Sequence, residues 1–103
     1  MSDTMERKQQ QRASFEQFCR GERSLYCIAS LAAPESLDSF AFRTMPAEAR
    51  QILAWADPAE AEQWRVNNKL AESLVVELTY PVLRAGVEAL PAELQSTYSI
   101  EVI

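Results

Sequence analysis

Five prolines, at positions 34, 46, 58, 81 and 91, limit how long any regular element in this chain can be. Proline lacks an amide hydrogen, clashes with the helical turn before it and drives the preceding residue out of the helical region. Each one therefore opens, ends or kinks an element, and the sequence reads as a series of short segments. Residues 1–12 are the most polar stretch and bury too little to offset the entropy of ordering, so a frayed or flexible tail is expected there. From Ala13 the pattern changes. Ala13, Phe15, Phe18 and Cys19 gather on one side of a helix, and Gly21 supplies a C-terminal stop. The run Ser24-Leu-Tyr-Cys-Ile-Ala-Ser-Leu-Ala-Ala reads as a buried strand or a buried helix, with Ala29, Ala32 and Ala33 favouring the helix and Pro34 ending it. Ser36 to Phe42 reads as a short helical turn or a loop whose rings, Phe40 and Phe42, plug the core.

Beyond Thr44 the periodicity predicts more helix. Thr44 can cap, Pro46 suits a first turn, and Met45, Ala49, Ile52, Leu53 and Ala56 fall on one side at about 100° per residue, with Glu48, Arg50 and Gln51 away from them. Asp57 and Glu60 form a capping-box-like start with Pro58 at the first helical position. From Pro58 to about Tyr80, helical winding collects Trp64, Leu70, Ala71, Leu74, Val75 and Leu78 in one arc and Glu62, Arg65, Lys69 and Glu72 opposite, with Asn67 in the middle of the apolar side. Pro81 kinks or ends that helix, and Val82, Leu83, Ala85, Val87 and Leu90 continue as another. The final residues alternate, Tyr98, Ile100 and Val102 against Ser99 and Glu101, which is strand periodicity. The expected fold is mainly α: one small helical domain of about four to five helices over residues 1–103 with a short C-terminal β-strand.

The 103 residues hold ten Lys and Arg against fifteen Asp and Glu, a net charge of -5, which repels phosphate backbones and anionic lipid. No nucleic-acid or membrane partner is expected, and the longest uncharged stretch, Ser24 to Pro34, is too short to span a bilayer. Histidine is absent, which removes the commonest general base and metal ligand, so no enzyme, cofactor or metal is expected. Lys69 and Ser73 are four apart on the expected helix, but Lys69 belongs to its charged side and solvation keeps it protonated. Cys19 and Cys27 form no CxxC motif and read as small apolar residues of a reduced, cytoplasmic protein. The opening residues carry mixed charge and no apolar core, unlike a secretory signal.

Contact with another protein remains. Asn67 in a Leu and Trp stripe is either a satisfied core amide or a specificity device between helices. Tryptophan is a favoured interface anchor. The terminal strand needs a partner strand, within the chain, across a dimer or from a foreign protein. The expected contact residues are Trp64, Asn67, Ala71, Leu74 and Leu78, with Tyr98 and Ile100 next, in a homodimer that binds a protein target.

With the stretch Asp57-Pro-Ala-Glu-Ala-Glu-Gln-Trp-Arg-Val-Asn-Asn and the ending Tyr98-Ser-Ile-Glu-Val-Ile, this small, acidic chain resembles the QslA-like anti-activators of pseudomonads, antagonists of LuxR-type quorum-sensing activators. The resemblance implies binding to the activator's ligand-binding domain, disruption of its dimer and loss of DNA binding. No residue's role is carried over from it. The competing readings are a phage- or plasmid-type antagonist of another host protein and a helix-turn-helix DNA-binding regulator built on the corner at Ala56 to Pro58.

Overall fold

The computed structural model describes residues 2–34, 36–46 and 49–103. Helix makes up 43% of the chain and strand 27%, in two sheets, so the fold mixes α and β and the mainly helical expectation is corrected. In chain order come helix α1 (Ser2–Cys19), strand β1 (Leu25–Ser30), a short 3-10 turn at Leu37–Ser39, strands β2 (Phe42–Thr44) and β3 (Arg50–Ala54), helix α2 (Pro58–Asn67), strand β4 (Ser73–Leu78), helices α3 (Tyr80–Glu88) and α4 (Ala92–Gln95), and strand β5 (Tyr98–Val102). β1 and β4 pair antiparallel, from Leu25 opposite Leu78 to Ser30 opposite Ser73. The second sheet has the order β2-β3-β5, with β3 and β5 parallel. A bridge between Tyr26 and Trp55 joins the two sheets, each amide donating to the other's carbonyl at 2.8 Å.

β1 is a strand because both its sides are covered. Leu25, Cys27 and Ala29 face one core with Phe18, Leu37, Phe40, Ile52, Ala54, Leu78 and Val102. Ile28 faces a second with Leu53, Trp55 and Ala61. A strand buried on both faces shows a continuous apolar run and no alternation. The same holds for Ile52 to Trp55, which are buried in succession. The helix expected from Thr44 to Ala56 is thus replaced by strands, and Glu48, part of that reading, lies outside the described residues, as does Met1 of the polar tail. Because a strand and not a helix precedes Pro58, the helix-turn-helix has no first helix. Phe40 is buried as expected, whereas Phe42 is 39% exposed and lies under the Arg50 guanidinium at 4.6 Å.

Helix ends explain the remaining differences. Gly21 takes φ +74°, and the bonds from its amide to Phe18 O and from Glu22 N to Gln17 O close α1 in a Schellman turn. α2 ends in the same way. Lys69 N donates to Val66 O and Leu70 N to Arg65 O, with Lys69 in the left-handed region at φ 56°. A lysine there hides the stop from the sequence, since glycine is the usual residue. The helix therefore ends at Asn67, and the expected continuation to Tyr80 is instead a turn and strand β4. Asp57 caps α2 as expected, its carboxylate accepting from Ala59 N at 2.8 Å. Pro81 opens α3 instead of ending a helix, because its missing donor is harmless in a first turn.

The left-handed Lys69 yields a prediction. Lys69→Gly relieves side-chain crowding that costs an L-residue about 1–2 kcal/mol, partly offset by glycine's greater freedom in the unfolded chain. Denaturant unfolding should show stabilisation of up to about 1 kcal/mol; destabilisation of that size would contradict this account of the α2 terminus.

Candidate protein-binding surfaces

An apolar groove lies between α1 and α3. Phe15, Phe18 and Cys19 come from α1, Tyr80, Leu83 and Val87 from α3, and Ile52, Tyr98 and Ile100 from the parallel strands beneath. The alternation of β5 places Tyr98, Ile100 and Val102 on the side covered by α1, and parallel pairing sets Ile100 beside Ile52. The amphipathic α3 turns Leu83 and Val87 inward. Phe18 and Tyr80 meet edge to face, with ring centroids 5.8 Å apart, and Phe15 stands 38% exposed at the rim. The cavity holds about 180 Å³. That lies below the ~300–1,000 Å³ of small-ligand sites and suits an inserted side chain of another protein. A larger cleft of about 590 Å³ lies along α1 near Arg23 and Glu60, where Glu6 and Arg7 mix opposite charges.

Of the seven residues expected to contact a partner, Tyr98 and Ile100 line this groove. The others share no helical stripe. Trp64 is half-buried on α2, its ring 5.3 Å from that of the fully buried Trp55, where it closes the second core with Leu70 and Val75. Asn67 is exposed, and its side-chain oxygen accepts from Gln63 Nε2 at 3.0 Å, so it is neither a core amide nor part of an apolar seam. Ala71 sits in an exposed turn, Leu74 is half-buried on β4, and Leu78 is 1% exposed inside the main core. Tyr80, Leu83 and Val87 were missed as site residues. The sequence reads Val82, Leu83, Ala85, Val87 and Leu90 as a short helix, but it shows neither which side of that helix faces inward nor that α1 leaves part of it open.

Lys69 and Ser73 are not on one helix. Lys69 is exposed in the turn, and the Ser73 hydroxyl donates to Leu70 O. Among the described residues no three His, Cys, Asp or Glu side chains gather as a metal site, and no helix is long and apolar enough to cross a membrane. Both cysteines are free thiols. Burial raises the Cys27 thiol to about 12, so it stays protonated and inert at neutral pH, while Cys19 lies partly accessible in the groove.

Cys19 therefore serves as a built-in reporter of the groove. A thiol reagent at mildly alkaline pH should label Cys19 in the native protein and reach Cys27 only on unfolding; simultaneous labelling of both would contradict this packing. Comparison with protein-family models, with curated proteins and with solved structures finds no match to the chain.

Proposed function

We propose that this chain is a non-enzymatic regulatory protein that binds a transcription factor through protein-protein contact and inhibits it, acting as a homodimer in the cytoplasm. The groove between α1 and α3 carries the reading: it is apolar, open at Phe15 and too small for a cofactor, which suits an aromatic or aliphatic anchor from a partner. The net charge of -5 favours a protein target over the nucleic acid that the target itself reads.

The resemblance to anti-activators supplies the class of target, a LuxR-type transcriptional activator. On this reading an apolar side chain of the activator's ligand-binding domain enters between Phe15 and Leu83 and rests on Tyr98 and Ile100. The bound chain then covers surface that the activator needs for its own dimer, and DNA binding is lost. Trp64 supports the core beneath α2 and is not the anchor.

Isothermal titration against the purified ligand-binding domain of a LuxR-type activator tests this. Phe15→Asp should weaken binding by about 2 kcal/mol, because it places a charge at the mouth of an apolar pocket, with little change in melting temperature. Val82→Asp, at a position 60% exposed outside the groove, should leave affinity unchanged. Equal affinity of the wild type and the Phe15 variant would remove the groove from the interface, and absence of binding by the wild type would remove this class of target.

A further inference from the structure

The backbone of β4 has one edge spoken for and one edge open. Leu31 N donates to Glu72 O at 3.0 Å, which makes Leu31 and Glu72 a hydrogen-bonded pair of the β1–β4 ladder. Antiparallel ladders alternate, and this one runs without a bulge from Leu25 opposite Leu78 to Ser30 opposite Ser73. The amides and carbonyls of Leu74, Val76 and Leu78 therefore turn toward β1, and those of Ser73, Val75, Glu77 and Thr79 turn outward. The other strand confirms the phase, since Tyr26 N bonds Trp55 O and Ile28 O accepts from Ala41 N, both on the side of β1 away from β4.

The carbonyls at both ends of the outward row are already taken. Arg65 donates to Ser73 O at 3.3 Å and to Leu70 O at 3.1 Å, while its guanidinium also holds Glu62 and keeps that carboxyl below its usual range. At the other end Thr79 O accepts from Leu83 N in the first turn of α3. Between these stops lie the amides and carbonyls of Val75 and Glu77, with no partner among the described residues and no further strand beside them. The strand Ser73-Leu-Val-Val-Glu-Leu carries a single charge and no proline, so it lacks the usual devices that keep an edge from pairing.

We infer that this edge is the seam of a homodimer, two copies of β4 pairing antiparallel about a two-fold axis at Val76. The symmetry dictates the register. Directly opposed residues of an antiparallel pair share a face, so the axis must fall on a residue. An axis at Val75 would pair Ser73 with Glu77 and use the carbonyl that Arg65 holds. An axis at Val76 pairs Val75 with the partner's Glu77, and Glu77 with the partner's Val75. That arrangement uses the amides and carbonyls of Val75 and Glu77 and stops short of the occupied carbonyls of Ser73 and Thr79. It gives a continuous sheet β1-β4-β4-β1, sets Val76 against its own copy and Leu74 against the partner's Leu78, and brings no carboxylates face to face. The inference deepens the homodimer reading and is independent of the target.

Three measurements on the full chain test it. Light scattering coupled to size exclusion, across a range of concentrations, should show a dimer. Glu77→Pro removes an outward amide from an exposed position without touching the β1 ladder, and should raise the dimer dissociation constant about tenfold or more with an unchanged circular dichroism spectrum. Val76→Cys places thiols on the axis, where opposed Cα atoms of a non-hydrogen-bonded pair lie ~4.5 Å apart, within the range of a disulfide. In a glutathione redox buffer it should cross-link above the wild-type background, and Val75→Cys should not. A dimer that cross-links at residue 75 instead, or that Glu77→Pro leaves intact, would overturn the seam while the homodimer stands. A monomer at every concentration would overturn both; if Glu77→Pro then abolished activator binding, the edge would belong to the target.

Discussion

The two-sided burial of Leu25–Ser30 is the constraint on which the other elements depend. Its backbone is hydrogen-bonded to β4 on one edge and to Trp55 and Ala41 on the other. Its side chains alternate between the two cores, Leu25, Cys27 and Ala29 in one and Ile28 in the other. Full burial of a Leu or Ile contributes about 1.5–3 kcal/mol, a large share of the stability of a domain this small. Through Phe18, Leu37 and Leu78 the first core fastens α1, the 3-10 turn and β4; through Ala61 and Leu53 the second fastens α2 and β3. Arg23 adds a polar tie, donating to Ala56 O at 2.9 Å and to Ser14 Oγ at 3.3 Å, which holds α1 against the end of β3.

The candidate surfaces follow from what this arrangement leaves uncovered. α1 and α3 both lean on the β3–β5 floor, and the space between them exposes Phe15 while Phe18 is wholly enclosed. The outer edge of β1 is bonded to Trp55 and Ala41, whereas the outer edge of β4 has no strand beside it among the described residues. One chain thus presents an apolar groove and an open strand edge on different elements. A dimer joined through β4, as proposed, would carry two grooves and so offer two equivalent binding positions.

Legibility in the sequence divided according to whether the signal was local. Gly21 as a stop, Asp57 and Pro58 as a helix start, a short helix around Val82 to Leu90 and the alternating Tyr98–Val102 strand are all readable, because each depends on side-chain chemistry within one element. The misread segments are those whose identity comes from distant partners. Ile52 to Trp55 and Leu25 to Ala29 are apolar without alternation because both of their faces are buried, and such runs cannot be told from buried helix by period alone. Leu70, Leu74 and Leu78 at four-residue spacing mimicked a helical stripe, although the adjacent β-branched Val75 and Val76 favour a strand. Lys69 in a left-handed C-terminal turn concealed the break. Of the site, Tyr98 and Ile100 were found through strand alternation; the α3 wall was not, since only the assembled fold shows which apolar face remains open.

Native-state hydrogen exchange most directly tests whether the doubly buried strand holds the fold together. The amides of Tyr26, Cys27 and Ala29 should be among the slowest in the protein and exchange only through global unfolding, with the unfolding free energy obtained from denaturant titration. Exchange of these amides by local opening, at rates like those of the exposed residues 5–10 of α1, would show that the two cores do not share this strand and would contradict the account.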